Sequence, residues 1–299
     1  MSSGLPNLFI VGAAKSGTST LWHHLKGHPQ VFMPQDELLK EPAFFTQLKT
    51  LPGLEAYLDI FASAKNQQRI VGEASTAYLT DPTSAGLIHD FNPRAKIIIL
   101  LRNPADRAYS LYNWMVQEGY EYASSFKRAL ELEEKRKTKR IPNYWEPQYY
   151  WNYMYFSSGL YYEQVKRYIE FFGSSVLVLT FDGLVSDLNG TYQKVCRFLD
   201  IDLQPVQPRV MNPSKTVMLP ALQFLLRKCN HRFLRMRRVH LKKDLSKKER
   251  DQLLRVGQLE KKPKKIDPAL KNELMKRYAE DLNRLSELTK LDLSAWQTA

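Results

Sequence analysis

The chain alternates between short, unbroken apolar runs and longer stretches in which apolar residues recur on one helical face. Residues 8–12, LFIVG, form an apolar run that stops at glycine, the mark of a short buried strand. From Thr18 to Lys26 the period changes, and Leu21, Trp22 and Leu25 fall on one side of a helix. Val71 and Gly72 sit in a brief second strand, and residues 83–91 read as a helix. KIIILL at 96–101 is apolar throughout, as central parallel strands are because both of their faces are covered. Residues 104–118 follow as a helix entered through Asn103 and Pro104, with proline at the first helical position. A helix is expected from Gly159 to about Phe172, then a strand over 174–181 (SSVLVLTF), then a helix to about Leu199. Strands separated by helices require βαβ crossovers, so the expected fold class is α/β, a doubly wound parallel sheet with helices on both faces. Beyond Pro205 the pattern turns to basic amphipathic stretches near 219–236, 246–256 and 267–288. With no internal repeat and no linker, residues 1–299 are expected to form one domain. Its α/β core would span 1–204, and a basic, helical C-terminal region, 205–299, would pack on it.

Composition narrows the class. Apolar residues make up 43% and charged residues 25% of the 299, which excludes a disordered or fibrous chain. Two cysteines, Cys196 and Cys229, cannot build a disulfide framework, and no Cys/His spacing matches a zinc site. No stretch approaches the roughly 18 apolar residues of a membrane span, and the start lacks the pattern of a signal peptide. A soluble, reduced, cytoplasmic setting is therefore expected, in which the Asn189-Gly-Thr191 sequon has no meaning. The net charge of +13 is located entirely after residue 204, where 23 of the 44 Lys+Arg face 10 of the 31 Asp+Glu. Such a surface attracts polyanions, or simply keeps a helical face solvated.

The strongest chemical signal follows the first strand: Gly12-Ala-Ala-Lys15-Ser16-Gly17-Thr18-Ser19-Thr20, then helix. A glycine-bearing turn between a parallel strand and a helix exposes backbone N–H groups at the positive end of the helix dipole, a site suited to phosphate. Gly12 and Gly17 match the opening of a Walker A loop, so the sheet is P-loop-like. The match then stops, because the lysine precedes Gly17 instead of following it. That displacement disfavours a nucleotide kinase, which would need Mg²⁺ and ATP. A non-catalytic binder of nucleic acid through the basic tail is disfavoured by the lack of any recognised module. A second constellation follows KIIILL: Arg102 at the carboxyl end of a central strand, where open α/β sheets bind ligands, and Ser110 two turns into the next helix. Guanidinium and hydroxyl together suit a further phosphate.

GAAKSGTSTL (12–21) and LLRNPADRAYSLY (100–112), in that order, resemble the 5′-phosphosulfate loop and the 3′-phosphate element of the PAPS-dependent sulfotransferases. VLVLTFDGLVSDLNGTYQKVCRFL (176–199) is similar to the family's strand and helix near the adenine, and residues 267–296 are similar to the ending of carbohydrate-type and bacterial-type members. The resemblance implies that Lys15 neutralises the leaving bridge oxygen, while Ser16, Gly17, Thr18, Ser19 and Thr20 cradle the 5′-phosphate. It also implies that Arg102 and Ser110 hold the 3′-phosphate, joined by Lys215 in the Asn212-Pro-Ser-Lys-Thr loop. Phe181 stands where many cytosolic members have tyrosine, so it would pack against the adenine without a hydroxyl contact.

Lys40-Glu41-Pro-Ala-Phe44-Phe45 resembles the K-E-x-x-F-F segment of heparan-type members, whose glutamate is the base, so Glu41 is the expected catalytic base. His24, His28 and His89 are the alternatives, as histidine is the commonest general base. Gly72-Glu73-Ala74-Ser75-Thr76-Ala77-Tyr78 also resembles a family strand end, with Ala74 where glycan-type members often carry lysine. Sulfuryl transfer in line between two oxygens depends on positioning and fixed positive charge, and the residues that do this here require no metal. Residues 144–162 are densely aromatic, and Tyr144, Trp145, Tyr149, Tyr150 and Trp151 are expected to line the acceptor pocket, with Glu146 available to a cationic acceptor. The acceptor expected is a soluble small molecule, such as a guanidinium alkaloid of the saxitoxin type in a natural-product pathway. A carbohydrate is the alternative.

Overall fold

The computed structural model describes residues 5–36, 39–47, 51–138, 150–206 and 265–297, with Thr216, Val217, Phe224, Gln258 and Leu259. They group into two compact units, one within residues 1–107, 160–211 and 275–299, the other within 108–159 and 212–274. The first unit holds a five-stranded parallel sheet in the order β2-β3-β1-β4-β5. Its strands are β1 (Leu8–Gly12), β2 (Val31–Phe32), β3 (Ile70–Glu73), β4 (Lys96–Leu101) and β5 (Val176–Thr180). Helix α1 (Thr18–Lys26) leads from β1 to β2, and α2 (Leu54–Asp59) precedes β3. Helix α3 (Ser84–Phe91) precedes β4, and α4 (Pro104–Gln117) follows it. The chain leaves β1 toward β2 on one side and leaves the adjacent β4 toward β5 on the other. The carboxyl ends of β1 and β4 therefore form the switch point at which such sheets bind ligands.

Alternate residues of each strand serve two layers. On one face Leu8, Ile10, Ile98 and Leu100 are fully buried against Leu21, Trp22 and Leu25 of α1, Leu184 of α7 (Phe181–Ser186) and Val195, Cys196 and Leu199 of α8 (Leu188–Leu199). On the other, Phe9, Ile97 and Ile99 are equally buried, and α6 (Tyr162–Phe172) packs on β4, β5 and α3. Helix α9 (Pro268–Thr289) and α10 (Ser294–Gln297) close the described chain. No helix among the described residues is long and apolar enough to cross a membrane.

Several boundaries differ from the sequence reading for local reasons. The helix expected from Gly159 starts at Tyr162, because residues Ser157–Gly159 form a 3-10 turn. Its entry is fixed by Asp281 of α9, whose carboxylate accepts the N–H groups of Tyr161 at 2.7 Å and Tyr162 at 3.2 Å. Phe181 is the first residue of α7 rather than the last of a strand, since the Thr180 hydroxyl caps the turn by accepting the Gly183 N–H at 3.2 Å. The single helix expected after it is two, broken at Asp187, which accepts the Gly190 N–H at 2.8 Å and begins α8. The two-residue β2 and the six-residue α2 are too short to leave a periodic trace. Of the basic stretches, only the last, as α9, falls largely within the described residues.

The second unit is built around α5 (Phe126–Thr138) and a 3-10 turn at Tyr150–Tyr153. A buried pair, Glu121 and Arg136, meets through two hydrogen bonds of 2.8 and 2.9 Å, and Tyr155 donates to the same carboxylate at 2.8 Å. Glu133 accepts the N–H groups of Phe156 and Ser157 at 2.7 and 2.8 Å. Two short strands, β6 (Thr216–Val217) and β7 (Gln258–Leu259), pair antiparallel.

Candidate active site

The turn after β1 is shaped by three residues with positive φ. Gly12 stands at 153°, Lys15 at 69° and Gly17 at 89°. A Cβ on Gly12 would lie 2.7 Å from Leu79 Cβ and 3.3 Å from the Thr76 carbonyl oxygen. On Gly17 it would lie 2.8 Å from Leu184 Cδ2 and 3.1 Å from Phe181 Cδ2. Neither position admits a side chain, and both hold a φ that glycine alone adopts without strain. Gly17 then opens α1, where the Thr20 N–H turns back to the Gly17 carbonyl at 3.0 Å and the N–H groups of Thr18 and Ser19 have no preceding helical carbonyl to reach. Ser16 is fully buried, and its Oγ finds no hydrogen-bond partner among the described residues. A buried hydroxyl left open beside a helix N-terminus fits a bound phosphate oxygen.

Arg102, just past β4, is tied to this turn. Its Nη1 donates to the Lys15 carbonyl at 3.1 Å, and its guanidinium lies 4.6 Å from the centre of the Phe181 ring. Phe181 thus supports the arginine and borders Gly17. Asn103 caps α4 by accepting the N–H groups of Ala105 at 3.1 Å and Asp106 at 3.2 Å. Trp296 of α10 accepts from Asn103 Nδ2 at 3.4 Å through its carbonyl and donates from its indole to Asp182 at 2.5 Å. Ser110 is half-buried on α4 and belongs to the second unit. Lys215 lies outside the described residues.

Glu41 is held at the end of β3. Its Oε1 receives the Lys40 ammonium at 2.7 Å, while Oε2 accepts the Thr76 hydroxyl at 2.9 Å and the Thr76 N–H at 3.3 Å. Its side chain is 35% exposed against 8% for Lys40. Burial pushes the Glu41 carboxyl up, but the Lys40 charge and the bonds from Lys40 and Thr76 outweigh it and hold the group below the ordinary glutamate range. Thr76 is also the residue whose carbonyl borders Gly12, so the carboxylate and the phosphate turn share one neighbour.

The histidines are engaged elsewhere. His28 is buried and bonds the Gln30 N–H at 3.1 Å and the Asp202 carbonyl at 2.9 Å. His24 packs edge-on to Tyr192, and burial lowers its pKa, with His23 adding to the effect. His89 packs on Phe171 and Phe172. Of the aromatic run, Tyr153 and Tyr155 belong to the core of the second unit, and their hydroxyls reach the Tyr120 carbonyl and Glu121. Tyr150 and Trp151 are half-buried, whereas Tyr144, Trp145 and Tyr149 lie outside the described residues.

Sequence reasoning assigned no role to Glu73, the last residue of β3. It is fully buried, and burial pushes its carboxyl up to about 7 against the opposing pull of three hydroxyl donors. Its only trace in the sequence is an acid in a strand, IVGE, whose other positions are all buried.

A family model described as "Sulfotransferase domain" matches residues 5–286. The chain belongs to the sulfotransferase family. The anion-ready turn, the Ser16 hydroxyl and Arg102 all fall within the matched residues. A solved sulfotransferase from Alicyclobacillus acidocaldarius is 30% identical, with a TM-score of 0.72 over 98% of this chain and 99% of that one. Membrane-associated sulfotransferase kil1 of Dictyostelium discoideum is 33% identical over 115 residues, 38% of this chain and 24% of that protein. Human carbohydrate sulfotransferase 15 is 30% identical over 176 residues, 44% of this chain and 30% of that protein. Bifunctional heparan sulfate N-deacetylase/N-sulfotransferase 1 of Caenorhabditis briggsae is 33% identical over 115 residues, but only 13% of its length is matched. This sulfotransferase thus spans less than a third of the length of those three relatives.

Proposed function

We propose that this sulfotransferase moves the sulfuryl group of PAPS to a hydroxyl or amine of a small soluble acceptor, with Glu41 as the base and Lys15 beside the leaving oxygen. The observation that carries the reading is the carboxylate of Glu41, kept ionised by Lys40 and bonded to Thr76, the residue that also borders Gly12. The acceptor oxygen or nitrogen bonds to sulfur as the S–O bridge to PAP breaks. The acceptor proton passes to Glu41, and the negative charge gathering on the bridge oxygen is met by Lys15 and the turn's N–H groups. Arg102 is offered for the 3′-phosphate and Phe181 for the adenine, and Ser110 and Lys215 stay the candidates that the family resemblance assigns to the same phosphate. The half-buried Tyr150 and Trp151 are offered for acceptor contact, together with Tyr144, Trp145 and Tyr149.

A carbohydrate acceptor is the second reading. It is favoured by the likeness to carbohydrate sulfotransferase 15 and to the heparan sulfate N-deacetylase/N-sulfotransferases. Calorimetric titration with PAP, with AMP and ATP–Mg²⁺ as controls, tests the donor site; PAP should bind and Arg102→Ala should abolish it. Transfer from [35S]PAPS to a panel of desulfated glycans, phenols and guanidino compounds then separates the acceptor classes. PAP that fails to bind while ATP–Mg²⁺ binds would defeat the donor assignment.

A further inference from the structure

Three hydroxyls converge on the buried carboxylate of Glu73: Tyr57 of α2 at 2.7 Å, Tyr78 at 2.9 Å, and Ser75. Two of them have a second task. Ser75 Oγ accepts the Ala43 N–H at 2.9 Å, and the Tyr78 hydroxyl accepts the Phe45 N–H at 3.3 Å. A hydroxyl that accepts an N–H must aim its own proton elsewhere, and here both protons go to Glu73. The segment so held needs support. Ala43 stands at φ 49°, a left-handed conformation that costs a non-glycine residue about 1–2 kcal/mol. Two residues earlier on the same segment is Glu41, bonded to Thr76, and just before it the Lys40 carbonyl accepts the Ala74 N–H at 3.0 Å. Residues 40–45 are thus stitched to 73–78 at four points, and two of the four end on one carboxylate.

Packing alone would not place an acid there. The other residues of β3 are buried, and an apolar residue at 73 would leave three hydroxyls without their acceptor. The groups facing Glu73 are Tyr57, Ser75, Tyr78 and, through charge, Glu41, with Tyr168 of α6 bonded to the Tyr78 carbonyl at 2.8 Å.

We propose that Glu73 is a positioning residue for Glu41: through Ser75 and Tyr78 it fixes the 41–45 turn, so that the Glu41 carboxylate stays on Thr76 and Lys40. This rests on the reading of Glu41 as the base. Glu73 itself touches no substrate.

Ser75→Ala is the sharpest test, because it keeps both carboxylates and removes only the link. In the full chain labelled with [13C]glutamate, with the Glu41 signal assigned through Glu41→Gln, the Glu41 midpoint should rise toward the ordinary glutamate value. PAP affinity should stay within about twofold, a difference of roughly 0.4 kcal/mol. With an acceptor that the panel identifies, Glu73→Gln should lower turnover at least about tenfold alone and add nothing to Glu41→Gln, the behaviour of two residues acting as one. Should Ser75→Ala fail to fold, Tyr78→Phe cuts the second link and carries the same expectation for the midpoint. An unmoved Glu41 midpoint overturns the proposal. So does a loss of PAP affinity in step with melting temperature, which would make Glu73 a support of the sheet alone. Full turnover in Glu41→Gln beside a shifted midpoint in Ser75→Ala would defeat the base reading and leave the coupling of the two carboxylates standing.

Discussion

Two glutamates at the end of β3 sit in opposite electrostatic states. Lys40 and Thr76 hold Glu41 below its ordinary range, whereas burial lifts Glu73 to about 7. Replacing Lys40 by Met removes the charge that favours the Glu41 carboxylate, so its pKa rises. The acidic limb of the pH profile of kcat/KM should then move to higher pH, with the alkaline limb unchanged. Glu41→Gln should lower kcat by about 10²–10⁴ while leaving PAP affinity intact, since only proton removal is lost. Glu73 carries the opposite sign into stability. The folded state holds that proton more tightly than the unfolded chain, so its contribution is complete below about pH 4.5 and lost as pH rises through about 7. Unfolding free energies from urea titrations across that window should fall on the order of 3 kcal/mol further in the wild type than in Glu73→Gln.

At the scale of elements, the phosphate turn depends on an absent side chain. Gly17→Ala would place a methyl 2.8 Å from Leu184 and force φ 89° on a non-glycine residue. About 1–3 kcal/mol of stability should be lost, read as a lower melting temperature, and PAP affinity should drop as well. This element was legible in the sequence because every signal in it is local: an apolar run, a glycine, hydroxyls, a new period. β4 and α4 were legible for the same reason. Phe181 was misplaced by one element because SSVLVLTF stays apolar past the point where Thr180 turns the chain, and a cap is a hydrogen bond rather than a hydropathy signal. Glu73 was illegible as a participant because its donors come from Tyr57 and Tyr78, 16 residues before and 5 after, and no periodicity reports that convergence. Within the aromatic run at 144–162, Tyr153 and Tyr155 are satisfied in a core by Tyr120 and Glu121, partners that no spacing announces.

At the scale of the whole molecule, the second unit hangs on a buried charge pair. Arg136→Met would strand Glu121, which is fully buried, with two neutral donors, the Tyr155 hydroxyl and the Ala123 N–H. Breaking such a pair costs about 3–5 kcal/mol, and limited proteolysis should show cleavage within 108–159 in that variant. Adding Glu121→Gln should restore much of the resistance. The first unit has its own fastening in Trp296. That residue sits 193 positions after Asn103 and 114 after Asp182, yet it bonds both. The two elements that flank Arg102, the start of α4 and the start of α7, are thereby clasped by the last turn of the described chain. All five strands of the sheet lie before residue 181, so a nascent chain can assemble the sheet well before the segment that carries Trp296 exists to close this clasp.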